Sequence, residues 1–437
     1  MIILRTVKNI SSLNIAASVL LFLAAILAAV VANSSLSPVY QDFLLQELHL
    51  RIGNFNLFSH GGHPLKMIEF INDCLMTVFF LAVGLEIKRE LLVGELSSVR
   101  KAALPFIAAC GGMVVPVVIY ALSVASGTPE TRGMAIPMAT DIAFSLGVLS
   151  LLGKRVPLSL KIFLTAFAVV DDIGGILVIA LFYSADVAYG YLIAAAVLYV
   201  FLYYMGKFGV TQKIFFLFFG VIIWYLFLQS GIHSTISGVI LAFVIPARPR
   251  LDAGKYIERI RDIIGEFPVS KSDNIVLTNA QIATLKQVER ASDYVISPLQ
   301  SLEDNLHGVV SFVILPLFAF ANAGVVFSGS GSIVGDVSIA VAAGLLLGKF
   351  LGIYLFTWLA VKSGVALMPA GMNWKNIAGV SLLGGIGFTV SLFIANLSFA
   401  DEYPELLNQA KFGVLVGTVL AGVLGYVVLN WVLPERD

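Results

Sequence analysis

Charge is scarce in this chain. Only 12% of its 437 residues are Asp, Glu, Lys or Arg, about half of what a soluble domain carries, which excludes an ordinary solvated exterior. The 27 basic and 27 acidic residues cancel to a net charge of zero. No basic face for nucleic acid and no acidic block for a cationic partner is indicated. Cysteine is nearly absent: Cys74 and Cys110 both lie inside long apolar stretches, so no extracellular disulfide framework is implied. The apolar–polar alternation of a membrane β-barrel is missing too.

Apolar residues take the place of what is lacking, at 59% of the chain. A helix needs about 20 apolar residues to cross the hydrocarbon core. Stretches of this kind fall near 12–32, 67–87, 102–124, 133–152, 157–182, 188–206, 214–229, 231–246, 306–326, 338–361, 376–397 and 409–432. Only helices or closed barrels satisfy their backbone in lipid, so the chain is expected to be an all-α polytopic membrane protein of twelve transmembrane helices. Arg5 and Lys8 precede the first run as in a signal peptide. That run is longer than a signal core and opens a polytopic chain, which predicts a retained helix.

Lysine and arginine set the orientation. With the N-terminus inside, short internal segments hold Lys88, Arg89, Arg100, Lys101, Lys154, Arg155, Lys161, Lys207 and Lys213, while external ones hold only Arg51, Lys66, Arg132 and Lys411. Both termini are therefore expected in the cytoplasm. Two polar pieces stand apart from the spans. Residues 43–58 (FLLQELHLRIGNFNLF) alternate partially around Gly53-Asn54 and predict a small extracellular β-hairpin. Residues 247–300 mix acidic and basic residues with helix-forming runs such as Ala280–Arg290 and carry no metal, nucleotide or nucleophile motif; of a regulatory element and a solvated cytoplasmic loop, the loop is expected.

Against this background four charges are conspicuous. Asp141, Asp171, Asp172 and Lys349 fall well inside apolar stretches, where an ionised side chain costs at least ~2.5–3.5 kcal/mol and usually marks an ion or proton pathway. Asp171 and Asp172 point about 100° apart on a helix and can border one hydrated cavity. Carboxylates this close repel and titrate jointly. Oxygen ligands suit a hard cation such as Na⁺ or Li⁺, so cation and protons compete for the same atoms, which is sufficient for antiport. Lys349 is expected to pair with Asp171. A purely structural ion pair is the bland alternative, yet buried pairs contribute little net stability. An intramembrane aspartyl hydrolase would more naturally draw its two carboxylates from two helices. A channel built on acidic rings fits four scattered charges poorly.

An internal repeat sharpens this reading. Ile142-Ala143-Phe144-Ser145-Leu146 resembles Ile386-Gly387-Phe388-Thr389-Val390, and both follow helix-weakening residues: Pro137 with Thr140-Asp141, and Gly384-Gly385. The two segments run in opposite directions, which predicts an inverted repeat of spans 3–5 and 10–12 with interrupted helices at spans 4 and 11. Asp141 could then neutralise positive half-helix ends and Lys349 negative ones.

The chain resembles the NhaA-type Na⁺/H⁺ antiporters of bacterial inner membranes over nearly its whole length. The likeness is carried by FFLAVGLEIKREL (79–91), MATDIAFSLGVLSLLG (138–153), FLTAFAVVDDIGGI (163–176), SGIHSTISG (230–238), ILPLFAFANAGV (314–325), LLLGKFLGI (345–353) and LLGGIGFTVSLFIANL (382–397). The resemblance implies that Asp171 and Asp172 bind cation and protons, with Asp172 the essential ligand. It implies that Thr140 and Asp141 sit at the unwound part of the fourth helix, Thr140 beside the cation, and that Lys349 is the intramembrane lysine of the tenth. Glu86, Glu303 and His233 match positions tied to pH response, and Asp73 matches a supporting acidic position. A core of about 100–182 and 336–432 beside an interface part of about 1–99 and 183–335 is implied, as are homodimers joined through the 43–58 hairpin. Members need no cofactor. They export one Na⁺ or Li⁺ for two entering protons, are electrogenic, and are active at alkaline pH. Two departures are visible: the 247–300 loop is long, and Gly308 stands where a proline is usual.

Overall fold

A computed structural model describes residues 2–52, 55–60, 63–183, 187–249, 253–268, 276–327, 332–400 and 402–434. Most of the described residues are helical. Among the described residues nine helices are long and apolar enough to cross a membrane, or eleven if each of two bent helix pairs counts as one span. They include Ile15–Ala32, Met67–Val93, Val99–Ser123, Leu158–Phe182, Pro298–Asn322, Asp336–Lys362 and Pro404–Val432. Large apolar side chains such as Leu27, Leu122, Phe182 and Ile214 are exposed around the outside. Such a surface would aggregate in water and is suited to acyl chains.

The apolar run at 231–246 departs from expectation. Gly231 adopts a left-handed conformation at φ 79 and ends the Lys213–Ser230 helix, and the next helix, Thr235–Val244, has only 10 residues. At about 1.5 Å per residue it covers half of a bilayer core. The unwound piece between them holds His233 and Ser234, whose side chains turn towards Asp73. Hydropathy reports which residues lipid or protein accepts, whereas local polar bonding decides where the helix starts.

Within lipid, helices gain nothing from apolar burial against one another, so close backbone approach does the packing. The tightest crossing joins Val99–Ser123 to Asp336–Lys362. A Cβ at Gly111 would strike the carbonyl oxygen of Gly352, and a Cβ at Gly352 would strike Gly111. Any side chain at either position would push the two helices apart. The Leu158–Phe182 helix is the most enclosed of the candidate spans. It lies between an apolar cluster around Phe80, Phe318 and Phe393 and another around Phe167, Ile353 and Leu383.

The 43–58 segment is more elaborate than one hairpin. Its first residues complete a helix, Ser37–Leu45. Arg51–Ile52 then pairs antiparallel with Phe55–Asn56, and Ser59–His60 pairs with His63–Pro64, so the strand region runs beyond residue 58. The expected turn at Gly53-Asn54 lies outside the described residues. A bridge between Glu47 and Lys66 closes the base. The 247–300 region holds two helices, Ala253–Gly265 and Asn279–Val295, the second containing the helix-forming run Ala280–Arg290.

Candidate functional site

Two bent helix pairs cross at the centre. Pro129–Met138 and Ile142–Leu151 meet at 46°, and Trp374–Leu383 and Phe388–Phe399 meet at 43°. Pro137, which supplies no N–H, lies inside the last turn before the first break; Gly384, Gly385 and Gly387 weaken the helix at the second. A helix end leaves up to four N–H or C=O groups without partners, and here each break satisfies the other. Thr140 Oγ1 donates to Gly384 O at 2.8 Å, Ser145 Oγ donates to Leu383 O at 3.0 Å, and Asp141 N donates to Ile386 O at 2.6 Å. In return Ser391 Oγ donates to Ile136 O at 2.7 Å.

Asp141 joins the two N-terminal ends. Its Oδ1 accepts from Phe144 N at 2.9 Å, and its Oδ2 accepts from Thr389 N at 3.2 Å and Thr389 Oγ1 at 2.7 Å. A carboxylate suits this position, because the partial positive charge of both half-helices points at it. Thr389 and Ser145 occupy equivalent places in the sequence repeat, and each bonds across to the other pair.

Asp171 and Asp172 lie side by side on the enclosed Leu158–Phe182 helix, and the structure separates their surroundings. Lys349 Nζ donates to Asp171 Oδ2 at 2.5 Å, with both side chains at 0% exposure. The lysine's bond is thus to a carboxylate, and none to a carbonyl at either break is found among the described residues. Lys349 follows directly on a π-helical turn, Gly344–Gly348, a feature frequent at functional sites. Asp172 instead lines a cavity of about 300 Å³ shared with Thr140, Asp141, Thr389, Glu86, Arg89, Glu303 and His307. Both Asp171 Oδ1 and Asp172 Oδ1 are buried without a hydrogen-bond partner. Leaving a carboxylate oxygen dry and unbonded is unfavourable, so each of these atoms has capacity for a further partner.

The remaining expected residues fall into two separate groups. Glu86 and Glu303 lie together on the wall of the 300 Å³ cavity, where Arg89 bridges Glu303 at 2.8 Å and Glu90 at 3.0 Å. His233 is elsewhere. It faces Asp73, with Nδ1 3.8 Å from Oδ1, on a second cavity of about 600 Å³ that reaches His60, His63 and Lys66 of the strand region. Glu86, Glu303 and His233 therefore do not form one cluster.

A chain of buried amides was passed over by a reading directed at charges. Asn322 Nδ2 donates to Asn72 Oδ1 at 2.8 Å, and Asn396 Nδ2 donates to Asn322 Oδ1 at 2.9 Å, linking three helices beneath the larger cavity. Their one signal in the sequence was an amide inside an apolar run, a weaker one than a carboxylate gives because no charge is carried into lipid. Asn72 and Asp73 sit in another π-helical turn, Ile71–Leu75.

Known proteins share this sequence along nearly its whole length. The Na+/H+ antiporter 1 family matches residues 8–429. The chain is 75% identical over 436 residues to the Na(+)/H(+) antiporter NhaA of Bacteroides fragilis strain YCH46, covering 100% of both chains. Identity to the protein of that name in Bacteroides thetaiotaomicron is 74%, over 100% of this chain and 99% of the other. It is 43% over 423 residues for Na(+)/H(+) antiporter NhaA 1 of Saccharophagus degradans, covering 96% and 89%.

Proposed function

The chain belongs to the Na+/H+ antiporter 1 family of transporters, and from that premise we propose that it is a secondary antiporter exporting Na⁺ or Li⁺ in exchange for protons. One observation carries the assignment of its site. Asp172 is buried, keeps an unbonded Oδ1, and lines an accessible cavity next to the Asp171–Lys349 pair.

In this reading an entering cation takes oxygens from Asp172, Asp171 and Thr140. Binding displaces the proton held on Asp172, and Lys349, losing its carboxylate partner to the ion in a desolvated site, releases the second. Reprotonation from the other side expels the cation and restores the lysine pair. Two proton-carrying groups exchanged against one monovalent ion leave one net charge moved per cycle, so transport is electrogenic. Asp141, held by two half-helix ends, keeps the crossing charge-balanced while the ion comes and goes.

The architecture is read accordingly. Each bent pair is one interrupted span, Thr235–Val244 is a short twelfth span, and spans 3–5 and 10–12 form an inverted repeat. Spans of the repeat make a core of about 100–182 and 336–432, moving against an interface part of about 1–99 and 183–335. The strand region near 43–58 joins two copies on the external side of a bacterial inner membrane, with both termini in the cytoplasm. Glu86 and Glu303, beside Arg89 at the cavity, govern activation at alkaline pH. His233 and Asp73, on the other cavity, support the opposite end of the path.

The test is collapse of a preformed ΔpH in everted membrane vesicles on adding Na⁺, Li⁺ or K⁺ at several pH values. Dissipation by Na⁺ or Li⁺, larger at alkaline pH, is expected. No dissipation at any pH, with folded protein present, would return the aspartates to a structural role.

A further inference from the structure

The Ala253–Gly265 helix (AGKYIERIRDIIG) divides its residues by face with unusual consistency. At about 100° per residue, Tyr256, Ile257, Ile260, Ile263 and Ile264 fall on one arc of roughly 120°. The packing of that arc is incomplete. Tyr256, Ile260 and Ile263 are half-buried, and Tyr256 OH lies 2.9 Å from Ser292 Oγ on the neighbouring Asn279–Val295 helix. Ile257 and Ile264 remain 57% and 59% exposed. The neighbour likewise leaves Leu285 at 46% and Ile282 at 37%. Water is a poor partner for four large aliphatic side chains in so small a unit.

The charges indicate which partner fits. Arg259 and Arg261 lie about 100° to either side of the centre of the apolar arc, at its two borders. Glu258 and Asp262 occupy the opposite pole. Basic residues at the rim and carboxylates farthest away match an interface that is apolar below and anionic at its edge. That pattern belongs to helices lying flat in a lipid headgroup layer, where long basic side chains bury their stems and extend their charges to phosphates. Position agrees with pattern. The short apolar Thr235–Val244 helix ends nine residues before Ala253, and Asn279–Val295 ends just before the span-length Pro298–Asn322 helix. The unit is therefore tethered at both ends to the bilayer surface.

We propose that the two helices of the 247–300 region form an interfacial hairpin that docks on the anionic lipid surface of the same membrane, with Ile257 and Ile264 immersed and Arg259 and Arg261 at headgroup phosphates. This replaces the freely solvated loop expected from the sequence. It does not depend on the transport reading, only on the chain being embedded.

The experiment uses the full-length protein with Cys74→Ser and Cys110→Ser, spin-labelled at Ile257→Cys, Ile264→Cys, Glu258→Cys or Asp262→Cys in separate variants. Each is reconstituted into phosphatidylethanolamine/phosphatidylglycerol vesicles, and collision with oxygen is compared with collision with a water-soluble nickel chelate. Labels at 257 and 264 are expected to favour oxygen several-fold, and labels at 258 and 262 the chelate. Adding Arg259→Gln and Arg261→Gln, or using phosphatidylcholine alone, is expected to raise chelate access at 257. Chelate access at 257 and 264 equal to that at 258 and 262 would overturn the proposal, as would labels closed to both reagents, which would mean a protein partner. Unchanged immersion after removal of both arginines would overturn their headgroup contact.

Discussion

Asp141 and Asp172 are both buried aspartates at membrane depth, and they differ in what their oxygens meet. Asp141 has three donors, two of them backbone N–H groups from different half-helices. Asp172 keeps one oxygen unbonded in the wall of a cavity. A carboxylate saturated by the backbone fixes geometry, because releasing it would strand several donors at once. One with an open acceptor can take up and lose a cation without disturbing the helices around it. The same chemical group is thus a strut in one place and, in the transport cycle proposed above, an exchangeable ligand in the other.

Substitution should break that contrast in graded ways. The largest effect is expected from Asp172→Asn, which should abolish Na⁺-dependent ΔpH collapse in everted vesicles while leaving detergent-extracted protein monodisperse. Normal exchange would remove Asp172 from the site. Next comes Lys349→Ala, which leaves Asp171 charged or protonated in a dry pocket; breaking a fully buried pair costs about 3–5 kcal/mol. Thermal unfolding in detergent measures this, and an unchanged midpoint would show that the pair does not support the fold. Asp141→Ala should lower stability by about 1–3 kcal/mol through the donors it strands. Unlike Asp172→Asn, it should retain some exchange. Loss of exchange with no loss of stability would erase the proposed distinction between the two aspartates. The smallest change is expected for Glu303→Gln, which removes one partner of Arg89 at the cavity wall. It should displace the activity–pH curve more than it lowers its maximum, and a lowered maximum at an unmoved midpoint would exclude a role in pH response.

Much of this was legible in the sequence. Apolar runs located most of the helices, and charges inside them pointed to Asp141, Asp171, Asp172 and Lys349, since carrying a charge into lipid is rarely tolerated without use. The pairing of Lys349 with Asp171 was also anticipated. Less legible was anything set by local polar bonding. The shortened Thr235–Val244 helix was hidden because Ile232 and Ile236 keep hydropathy high through the unwound His233–Ser234 step. The separation of His233 from Glu86 and Glu303 depends on which cavity each helix face borders, which no linear spacing encodes. The asparagine chain was missed because Asn72, Asn322 and Asn396 are far apart in the sequence and uncharged, and their meaning arises only from contact.

The wide turn at Gly344–Gly348 has a consequence for the lysine that follows it. A π turn accommodates one residue more than the α-helix would, so every side chain after it is rotated by about 100° relative to an unbroken helix. Lys349 therefore owes its direction to a register offset stored one turn earlier. Removing a single residue from the turn, for instance Leu346, would preserve every chemical group of the site. The lysine would then swing away from Asp171, as a key with intact teeth fails when cut one notch out of step.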